Sequence, residues 1–462
     1  MRSLYRSRDR GETWTRLGDF TSGVNRRTLA IMGQLPDSNT LSLDDGASFY
    51  PTTSAFSESP KDRRVLYVGT DDGRLHVSRD EGATWKDITM NVTGLPAGTW
   101  VTHIEASRHA VGTVYVLFDG HQNGDFRNWL FRSTDFGETW KSIAADLPAA
   151  RVPHVLREDL SNPNLLYLGT EFGLFVSTDA AEHWLSFRAN LPTVPVNDIA
   201  LHARDQALVL GTHGRGIWIL DDVRPLRSLA TTTLASGLTL APTPAVVYQQ
   251  RLAPRLAHNG DMMFRGENPP NGITFTVLAR DSGTAATLVV KRAAGGAEMW
   301  RQDLTTRHGA TSAMWNLRVP SLPPAPGANS GDDGDARRRD ITGAFALAGT
   351  YEVSLMVGDR VIGRHSFTVR PDRRQDASPA EVQAWHTALD SIATLYRSTA
   401  KLAERARATG ARADTVAELQ TRVGALYQGL ESQVGAPTAD MRAQLGSYAR
   451  LYARLERAIG RR

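Results

Sequence analysis

The sequence contains no cysteine, and this absence removes several kinds of chemistry. Disulfide bonds, thiolate zinc sites and a cysteine nucleophile are all excluded. Long apolar runs are also absent, so no membrane-spanning helix is predicted, because such a helix needs about 20 mostly apolar residues. The first residues lack the apolar segment of a signal peptide, and no signal peptide is predicted in this chain.

The excess of one charge sign is also small, because the sequence has 53 Lys and Arg residues and 49 Asp and Glu residues, which gives a net charge of +4. A nucleic-acid-binding protein needs a clustered basic face. The nearest approach to a basic run here is three arginines at 337–339, so no nucleic-acid partner is predicted. The histidines lack the spacing of a catalytic zinc site and no phosphate-binding glycine loop is present, so no metal or cofactor is predicted.

What the first half does contain is an eight-residue repeat, Ser-x-Asp-x-Gly-x-Thr-Trp, and we call each copy a box. Three boxes are complete, and the fourth has Ala181 in place of the glycine and His183 in place of the threonine. The repeat positions are occupied by Ser7, Asp9, Gly11 and Trp14 in box 1, Ser78, Asp80, Gly82 and Trp85 in box 2, Ser133, Asp135, Gly137 and Trp140 in box 3, and Ser177, Asp179 and Trp184 in box 4.

Each box has the composition of a tight turn between two antiparallel strands. Ser and Asp side chains bond to nearby turn backbone, and Gly adopts a conformation that other residues resist. Trp buries a large face under the turn. These roles are structural. The box carboxylates are therefore predicted to accept hydrogen bonds from the turn backbone and not to attack a substrate.

A second repeat, Leu-Tyr-x-Gly-Thr, precedes two boxes at 66–70 and 166–170, and a relative of it lies at 208–212. Strand, turn and strand recur, and 44 residues separate Asp135 from Asp179, which is near the length of a four-stranded propeller blade. The sequence therefore predicts a mainly β protein whose residues 1–228 form a partial or small Asp-box β-propeller, incomplete at its N-terminus.

The remaining sequence predicts two further domains. Residues 229–247, rich in Thr, Ala and Pro, are a predicted linker. Alternating segments over 248–371 indicate a β-sandwich of the immunoglobulin or fibronectin III type, with a disordered loop at about 321–342. Residues 376–462 change to helical spacing, begin with a capping box at Ser378, and predict a C-terminal three-helix bundle.

The boxes resemble the BNR/Asp-box repeat proteins, and especially the bacterial sortilin-like (VPS10-type) propellers often labelled glycosyl hydrolases. Residues 211–222 look like the closing blade of that group, and residues 264–272 look like the start of its downstream sandwich domain. The resemblance implies a periplasmic or secreted protein. It also implies more blades than this chain contains, so we expect a missing upstream part. The remaining blades would form an open arc, or a small ring closed by residues 1–18.

Glycoside hydrolysis needs two carboxylates that face each other across a cleft. The candidates in this sequence are Asp71, Asp72, Glu171, Asp221 and Asp222. Asp71 and Glu171 both follow Gly-Thr at the same repeat position, so a turn role explains them.

A sialidase would instead use an arginine triad, for which Arg132, Arg151 and Arg215 are the candidates. The Arg-Ile-Pro motif that usually opens sialidase propellers is absent from the sequence. The sialidase hypothesis therefore has little support from these residues.

Aromatic residues outside the boxes favour a binding surface. They include Phe126 and Tyr50, and such side chains at a propeller mouth would hold sugar rings or a peptide, although packing between blades also explains them. The predicted ligand-binding residues are Trp100, Trp129, His213 and Arg215.

Two functions remain open. One is a non-catalytic recognition or scaffold protein whose propeller face binds protein or glycan. The other is a glycoside hydrolase, sialidase-like or xyloglucanase-like, with its acid pair on the propeller mouth or in a missing N-terminal part. A truncated product without separate activity is a third interpretation.

Overall fold

A computed structural model describes residues 2–30, 33–43, 50–188, 190–231, 237–249, 271–322, 341–372, 376–432 and 435–459. The chain is mainly β and forms two compact units, Met1–Thr233 and Leu234–Arg462. None of the helices in these ranges is long and apolar enough to cross a membrane.

The first unit consists of a hairpin followed by four antiparallel sheets. The hairpin is β1 (Ser3–Arg6) and β2 (Thr15–Asp19); sheet 1 is β3 (Thr53–Glu58), β4 (Leu66–Thr70), β5 (Leu75–Ser78) and β6 (Lys86–Asp87); sheet 2 is β7 (Trp100–Ala106), β8 (Val114–Gly120), β9 (Asp125–Ser133) and β10 (Lys141–Ser142); sheet 3 is β11 (Pro153–Glu158), β12 (Leu166–Thr170), β13 (Gly173–Ser177) and β14 (Leu185–Phe187); sheet 4 is β15 (Val196–His202), β16 (Ala207–Thr212) and β17 (Ile217–Leu220). Helix α1 (Arg224–Thr231) follows. Each sheet is an up-and-down meander, which is the topology of a propeller blade.

Consecutive sheets pack face to face around separate apolar cores. Tyr67 of sheet 1 and Ile104 of sheet 2 share one core, and sheets 2 and 3 and sheets 3 and 4 share two more. The glycine of the Leu-Tyr-x-Gly-Thr repeat lies at this contact, because a Cβ atom on Gly69 would lie 2.3 Å from a methyl carbon of Val101. The second repeat therefore marks close packing between neighbouring sheets as well as a strand.

The turns between second and third strands, at 71–74, 121–124, 171–172 and 213–216, lie at one end of the sheets, which we call the mouth face. The segment leading into each first strand lies there too. The backbone N–H groups of Asp71, Glu171 and His213 each donate to the carbonyl of a residue before that strand, at 3.0 Å in all three cases. Asp71, Glu171 and His213 thus occupy one repeat position. The boxes lie at the opposite end, the box end.

Residues 1–18 do not supply a final strand to sheet 4, contrary to one expectation from the sequence. Strands β1 and β2 pair with each other, with Ser3 opposite Asp19 and Arg6 opposite Thr15. Among the described residues, sheet 4 contains three strands and β17 is its edge.

The second unit contains two facing sheets and three helices. The three-stranded sheet has the order β18 (Leu238–Leu240), β20 (Ile273–Ala279) and β23 (Gly309–Trp315), and the five-stranded sheet has the order β19 (Val246–Tyr248), β25 (Arg360–Arg370), β24 (Gly349–Val357), β21 (Ala285–Arg292) and β22 (Glu298–Thr305). Both sheets contribute to one core, which includes Phe275, Trp315 and Tyr351.

The segment predicted as a linker, 229–247, differs from that expectation. It contains the end of α1, all of β18 and the start of β19, and both strands join the sheets of the second unit. The predicted loop at 321–342 lies largely outside the described residues, and so does most of 264–272. Leu322 and Ile341, at the two ends of that loop, pair through backbone hydrogen bonds of 2.8 and 2.9 Å.

Three C-terminal helices follow the sheets: α2 (Pro379–Thr409), α3 (Ala413–Glu431) and α4 (Ala439–Ile459). The capping box predicted at the start of α2 is present, because Ser378 accepts from the N–H of Glu381 and the Glu381 carboxylate accepts from the N–H of Ser378. The helices enclose a core of their own, into which Leu322 and Ile341 also pack.

Candidate functional site

The four boxes share the hydrogen bonds that their serine and aspartate side chains make. In box 3, the Ser133 hydroxyl donates to Asp135 at 2.7 Å and accepts from the N–H of Gly137 at 2.8 Å. The Asp135 carboxylate accepts from the N–H of Thr139 at 2.9 Å and from its hydroxyl at 2.6 Å. The Trp140 indole donates to the Gly137 carbonyl at 3.1 Å. The carboxylate of each box aspartate thus accepts hydrogen bonds from groups of its own turn.

These bonds keep the box aspartates ionised. The hydroxyl and then the backbone N–H of the box threonine, together with the box serine, lower the pKa of Asp9, Asp80 and Asp135 to about 2. A general acid must hold a proton near the working pH, so a carboxyl group with so low a pKa cannot serve as one.

Box 4 keeps this geometry with different residues. Ala181 takes the glycine position, and the His183 ring lies 2.7 Å from the Asp179 carboxylate, where the other boxes have a threonine hydroxyl. The Trp184 indole donates to the Ile143 carbonyl and is buried, whereas Trp14 of box 1 is 63% exposed. Trp85 and Trp140 are half-buried, so the burial of the box tryptophan is lowest in box 1 and highest in box 4.

The predicted catalytic candidates Asp71 and Asp72 both bind nearby turn groups. Asp71 accepts from the N–H and the hydroxyl of Thr52, at 2.6 and 2.9 Å. Asp72 is buried and accepts from the N–H of Ser22 at 2.7 Å and the hydroxyl of Thr70 at 2.5 Å. The two carboxylates share no hydrogen-bond donor in the described structure.

The other predicted acids are separated by their places in the fold. Glu171 lies on the mouth face, where one of its oxygens is 2.9 Å from the His154 ring nitrogen. Asp221 and Asp222 follow β17 at the box end, and Asp222 accepts two hydrogen bonds from the Arg224 side chain. The structure therefore does not bring these three acids to one end of the sheets.

The arginine candidates are divided in the same way. Arg151 and Arg215 lie at the mouth face, but Arg132 lies at the far end of β9, where its guanidinium donates to the Ala180 carbonyl at 3.0 Å. The three arginines thus do not form a triad, because Arg132 contacts box 4 instead.

A carboxylate cluster that the sequence prediction missed lies on the first strands of sheets 2, 3 and 4. The Arg157 guanidinium is 2.7 Å from Glu105 and 3.5 Å from Asp198, and it also donates to the Ile199 carbonyl. Burial raises the pKa of Glu105, against the lowering effect of Arg157. Glu105 and Arg157 occupy the same position in their repeats. Because one is acidic and the other basic, comparison of the repeats in the sequence does not show that they correspond.

Aromatic side chains and arginines meet repeatedly at the mouth face. The guanidinium of Arg127 lies 4.4 Å from the Trp129 ring centre, and that of Arg151 lies 4.9 Å from the Phe172 ring centre. Asp125 holds the first pair, accepting from Arg127 and from the Trp129 indole at 2.9 Å. Phe126 and Phe172 are exposed large side chains, at 55% and 47%.

The other predicted ligand-binding residues take different positions. Trp129 lies inside β9, not in a loop, and Trp100 is the first residue of β7. The Trp100 indole N–H is buried and has no acceptor among the described residues. His213 and Arg215 are exposed in the last mouth turn.

Residues 130–143, which run from the end of β9 through box 3 to β10, match the family model described as the BNR-Asp box repeat. This segment is a BNR-Asp box repeat. Boxes 1, 2 and 4 repeat its serine and aspartate hydrogen bonds. The sortilin-like type that we predicted from residues 211–222 stays a prediction.

Two xyloglucanases are similar to part of this chain. Xyloglucanase Xgh74A of Acetivibrio thermocellus is 29% identical over 186 residues, which cover 36% of this chain and 19% of the relative. A xyloglucanase of a Paenibacillus species is 28% identical over 169 residues, which cover 33% of this chain and 14% of the relative. The matched part thus spans less than a fifth of either relative.

Two solved structures align with this chain at low similarity. YCF48 from Cyanidioschyzon merolae gives a TM-score of 0.28 at 16% identity over 36% of this chain and 52% of that chain. The GH74 xyloglucanase from Xanthomonas campestris gives a TM-score of 0.30 at 15% identity over 66% of this chain and 48% of that chain. Nothing about function follows from scores this low.

Proposed function

We propose that this protein is a non-catalytic recognition module whose mouth face binds a protein or carbohydrate ligand. One observation carries the proposal. The mouth carboxylates Asp71 and Asp72 accept hydrogen bonds from Thr52 and Ser22, both in the segment before β3, whereas Phe126 and Phe172 are exposed beside arginines. The face therefore offers contact surface in place of an acid pair.

Paired arginines and aromatic rings suit recognition of a ligand with both apolar and polar faces. A ring such as Phe172 stacks on the CH face of a sugar or on a peptide side chain, and the adjacent Arg151 donates hydrogen bonds.

The relatives favour carbohydrate over protein as the first ligand to test, because both are named as xyloglucanases. From the resemblance of the boxes and of residues 211–222 to the sortilin-like propellers, we propose that the chain is a sortilin-like propeller protein and works outside the cytoplasm, in the periplasm or as a secreted protein.

The test is binding of xyloglucan oligosaccharides and of other β-glucans, measured by isothermal titration calorimetry. We expect Phe126→Ala and Phe172→Ala each to weaken binding by about tenfold, because each removes one exposed stacking ring. Met314→Ala is the matched control, since Met314 is an exposed apolar residue of the second unit. Equal affinity in all variants would place the ligand elsewhere, and a peptide panel on the same variants tests the protein alternative.

Glycoside hydrolysis is the second candidate, and one observation favours it. Glu105 and Asp198 come from different sheets and meet at Arg157, and burial raises the pKa of Glu105 in the direction that a general acid requires. Asp198 is 72% exposed and so accessible to water. Release of reducing ends from xyloglucan by the wild-type chain, abolished in Glu105→Gln and Asp198→Asn, would replace the recognition proposal with this one.

A further inference from the structure

The hairpin of sheet 2 projects farther at the mouth face than the hairpin of sheet 3. Strand β8 has 7 residues, Val114–Gly120, whereas the matching strand of sheet 3 has 5, Leu166–Thr170. Gly120 then pairs with Asp125 across the longer hairpin. Phe126 follows Asp125, so its exposed ring lies beyond the level at which sheet 3 turns.

Contacts along β9 show which way the side chain of Phe126 points. The Asp125 carboxylate accepts hydrogen bonds from Arg127 and from the Trp129 indole, and the Arg127 guanidinium lies over the Trp129 ring. Residues 125, 127 and 129 therefore share one face of the strand. Because side chains alternate along a strand, Phe126 and Asn128 lie on the other face.

Asn128 shows that this other face is turned toward sheet 3. Its side-chain amide donates to the Pro148 carbonyl at 2.9 Å and accepts from the N–H of Arg151 at 2.8 Å, and both partners belong to the segment that leads into β11. Leu130, the next residue on the same face, packs into the core that sheets 2 and 3 share. Phe126 thus points toward the mouth of sheet 3.

A second exposed ring, Phe172, lies at that mouth in the turn after β12. The Arg151 guanidinium is 4.9 Å from its ring centre, so the segment that Asn128 holds also reaches Phe172. The same guanidinium donates to the Ala149 carbonyl at 3.1 Å, and since a guanidinium has five N–H groups, donors remain for a ligand. Two exposed rings and one arginine therefore border one site between sheets 2 and 3.

We propose that Phe126 and Phe172 hold one sugar ring between them, while Arg151 donates to the hydroxyls on the edge of that ring. We call this arrangement the clamp, and it rests on the proposed recognition of carbohydrate. Stacking on two sides needs C–H groups on both faces of the sugar. A β-linked glucose ring has them, because all its hydroxyls are equatorial, whereas mannose carries an axial hydroxyl on one face. The ligand class is therefore a β-linked glucan.

The probes are cellotetraose and mannotetraose, which share the linkage and differ in the orientation of one hydroxyl per ring. Binding to the full chain is measured by isothermal titration calorimetry. We expect cellotetraose to bind about tenfold more tightly, at one oligosaccharide per chain, because the axial hydroxyl of mannose would be buried against a ring without a partner.

Variants that open one side of the clamp should lose this preference. Phe126→Ala and Phe172→Ala should each reduce it to less than about twofold, because a single ring stacks equally well on the hydroxyl-free face of mannose. Met314→Ala, at an exposed apolar residue of the second unit, should keep the wild-type preference.

Asn128 is a positioning residue in the clamp, since it acts through the segment of Arg151. Asn128→Ala should lower the preference for cellotetraose by about threefold, because that segment is then held less firmly. A merely structural role would weaken both tetrasaccharides equally, so an unchanged preference would overturn this role.

Equal affinity of the wild-type chain for the two tetrasaccharides would overturn the clamp and leave the recognition proposal standing. A full preference retained in Phe126→Ala or Phe172→Ala would also overturn the clamp, since either ring alone would then suffice. Absence of binding by both tetrasaccharides would overturn the clamp, and together with a negative peptide panel it would overturn the proposed function as well.

Discussion

Single residues in the boxes adopt a backbone conformation that explains the repeat. The two residues at the centre of each turn are left-handed, with φ of 63° and 87° at Phe136 and Gly137 and of 59° and 70° at Ala180 and Ala181. Non-glycine residues take this conformation at a cost of roughly 1–2 kcal/mol. Box 4 therefore tolerates strain that the other boxes avoid at their glycine.

A reciprocal pair of substitutions tests this interpretation. Gly137→Ala should lower the free energy of unfolding by about 2 kcal/mol, because the added Cβ would be left-handed and 2.4 Å from Ile88. Ala181→Gly should change it by less than about 1 kcal/mol, since relief of strain offsets the loss of one buried methyl group. Urea denaturation of both variants measures the difference, and equal effects would contradict the assignment.

His183 makes box 4 sensitive to pH. Its hydrogen bond to Asp179, and then the charge of that carboxylate, raise the pKa of His183 above its usual 6.5. A raised folded-state pKa stabilises the fold below the unfolded pKa, and the gain is lost as the pH rises through the folded value. We expect the wild-type chain to lose stability relative to His183→Thr as the pH rises from 6 to 9. Thermal unfolding at several pH values measures this, and parallel pH profiles would contradict it.

At the scale of elements, the sequence predicted the boxes and strands of the first unit well, because both repeats are local patterns. What it could not show is why Gly169 is a glycine. A Cβ there would lie 2.4 Å from the Val196 carbonyl oxygen of the next sheet, and Gly211, at the same repeat position, has no atom nearer than 3.5 Å. Gly169 is thus required by a contact with Val196, a residue of the next sheet that is distant in sequence.

Gly169→Ala should therefore destabilise the chain by about 2–3 kcal/mol, because backbone on the facing sheet cannot move aside easily. Gly211→Ala is the matched control and should cost less than about 1 kcal/mol, since its surroundings allow ordinary contact. Chemical denaturation followed by tryptophan fluorescence compares the two. A similar loss in both variants would show that the glycines serve the strand alone and not the sheet contact.

The parts that sequence reasoning missed have the same physical origin. Strands β18 and β19 have three residues each, too short for a periodic pattern, and β19 pairs with Thr368 and Val369 far along the chain. The Arg157 cluster joins three sheets, so no local spacing reveals it. Arg132 was grouped with two mouth arginines because residue type does not indicate which end of a strand a residue occupies.

At the scale of the whole molecule, the second unit contains contacts between its helices and the segment that connects β23 to β24, one strand from each sheet. The Tyr427 hydroxyl of α3 accepts a hydrogen bond from the buried N–H of Ala344 at 2.8 Å. Arg318 is 2.6 Å from Glu431 at the end of the same helix. Sheets and helices should therefore unfold together.

Tyr427→Phe tests this coupling, because it leaves the Ala344 N–H buried without an acceptor. We expect a loss of about 1–3 kcal/mol in the free energy of unfolding. The midpoint of unfolding measured by circular dichroism at a helical wavelength and the midpoint measured by hydrogen exchange at the buried amides of β21 and β24 should shift by the same amount. A shift in the helical signal alone would mean that the bundle unfolds independently.

The placement of boxes and mouth turns at opposite ends of the same strands has an evolutionary consequence. The residues that close each hairpin lie a full strand length from Phe172, His213 and Arg215, which face solvent at the other end. Mutations at these three exposed residues leave the box hydrogen bonds untouched, so descendants of one scaffold can diverge in what they recognise while keeping the same framework.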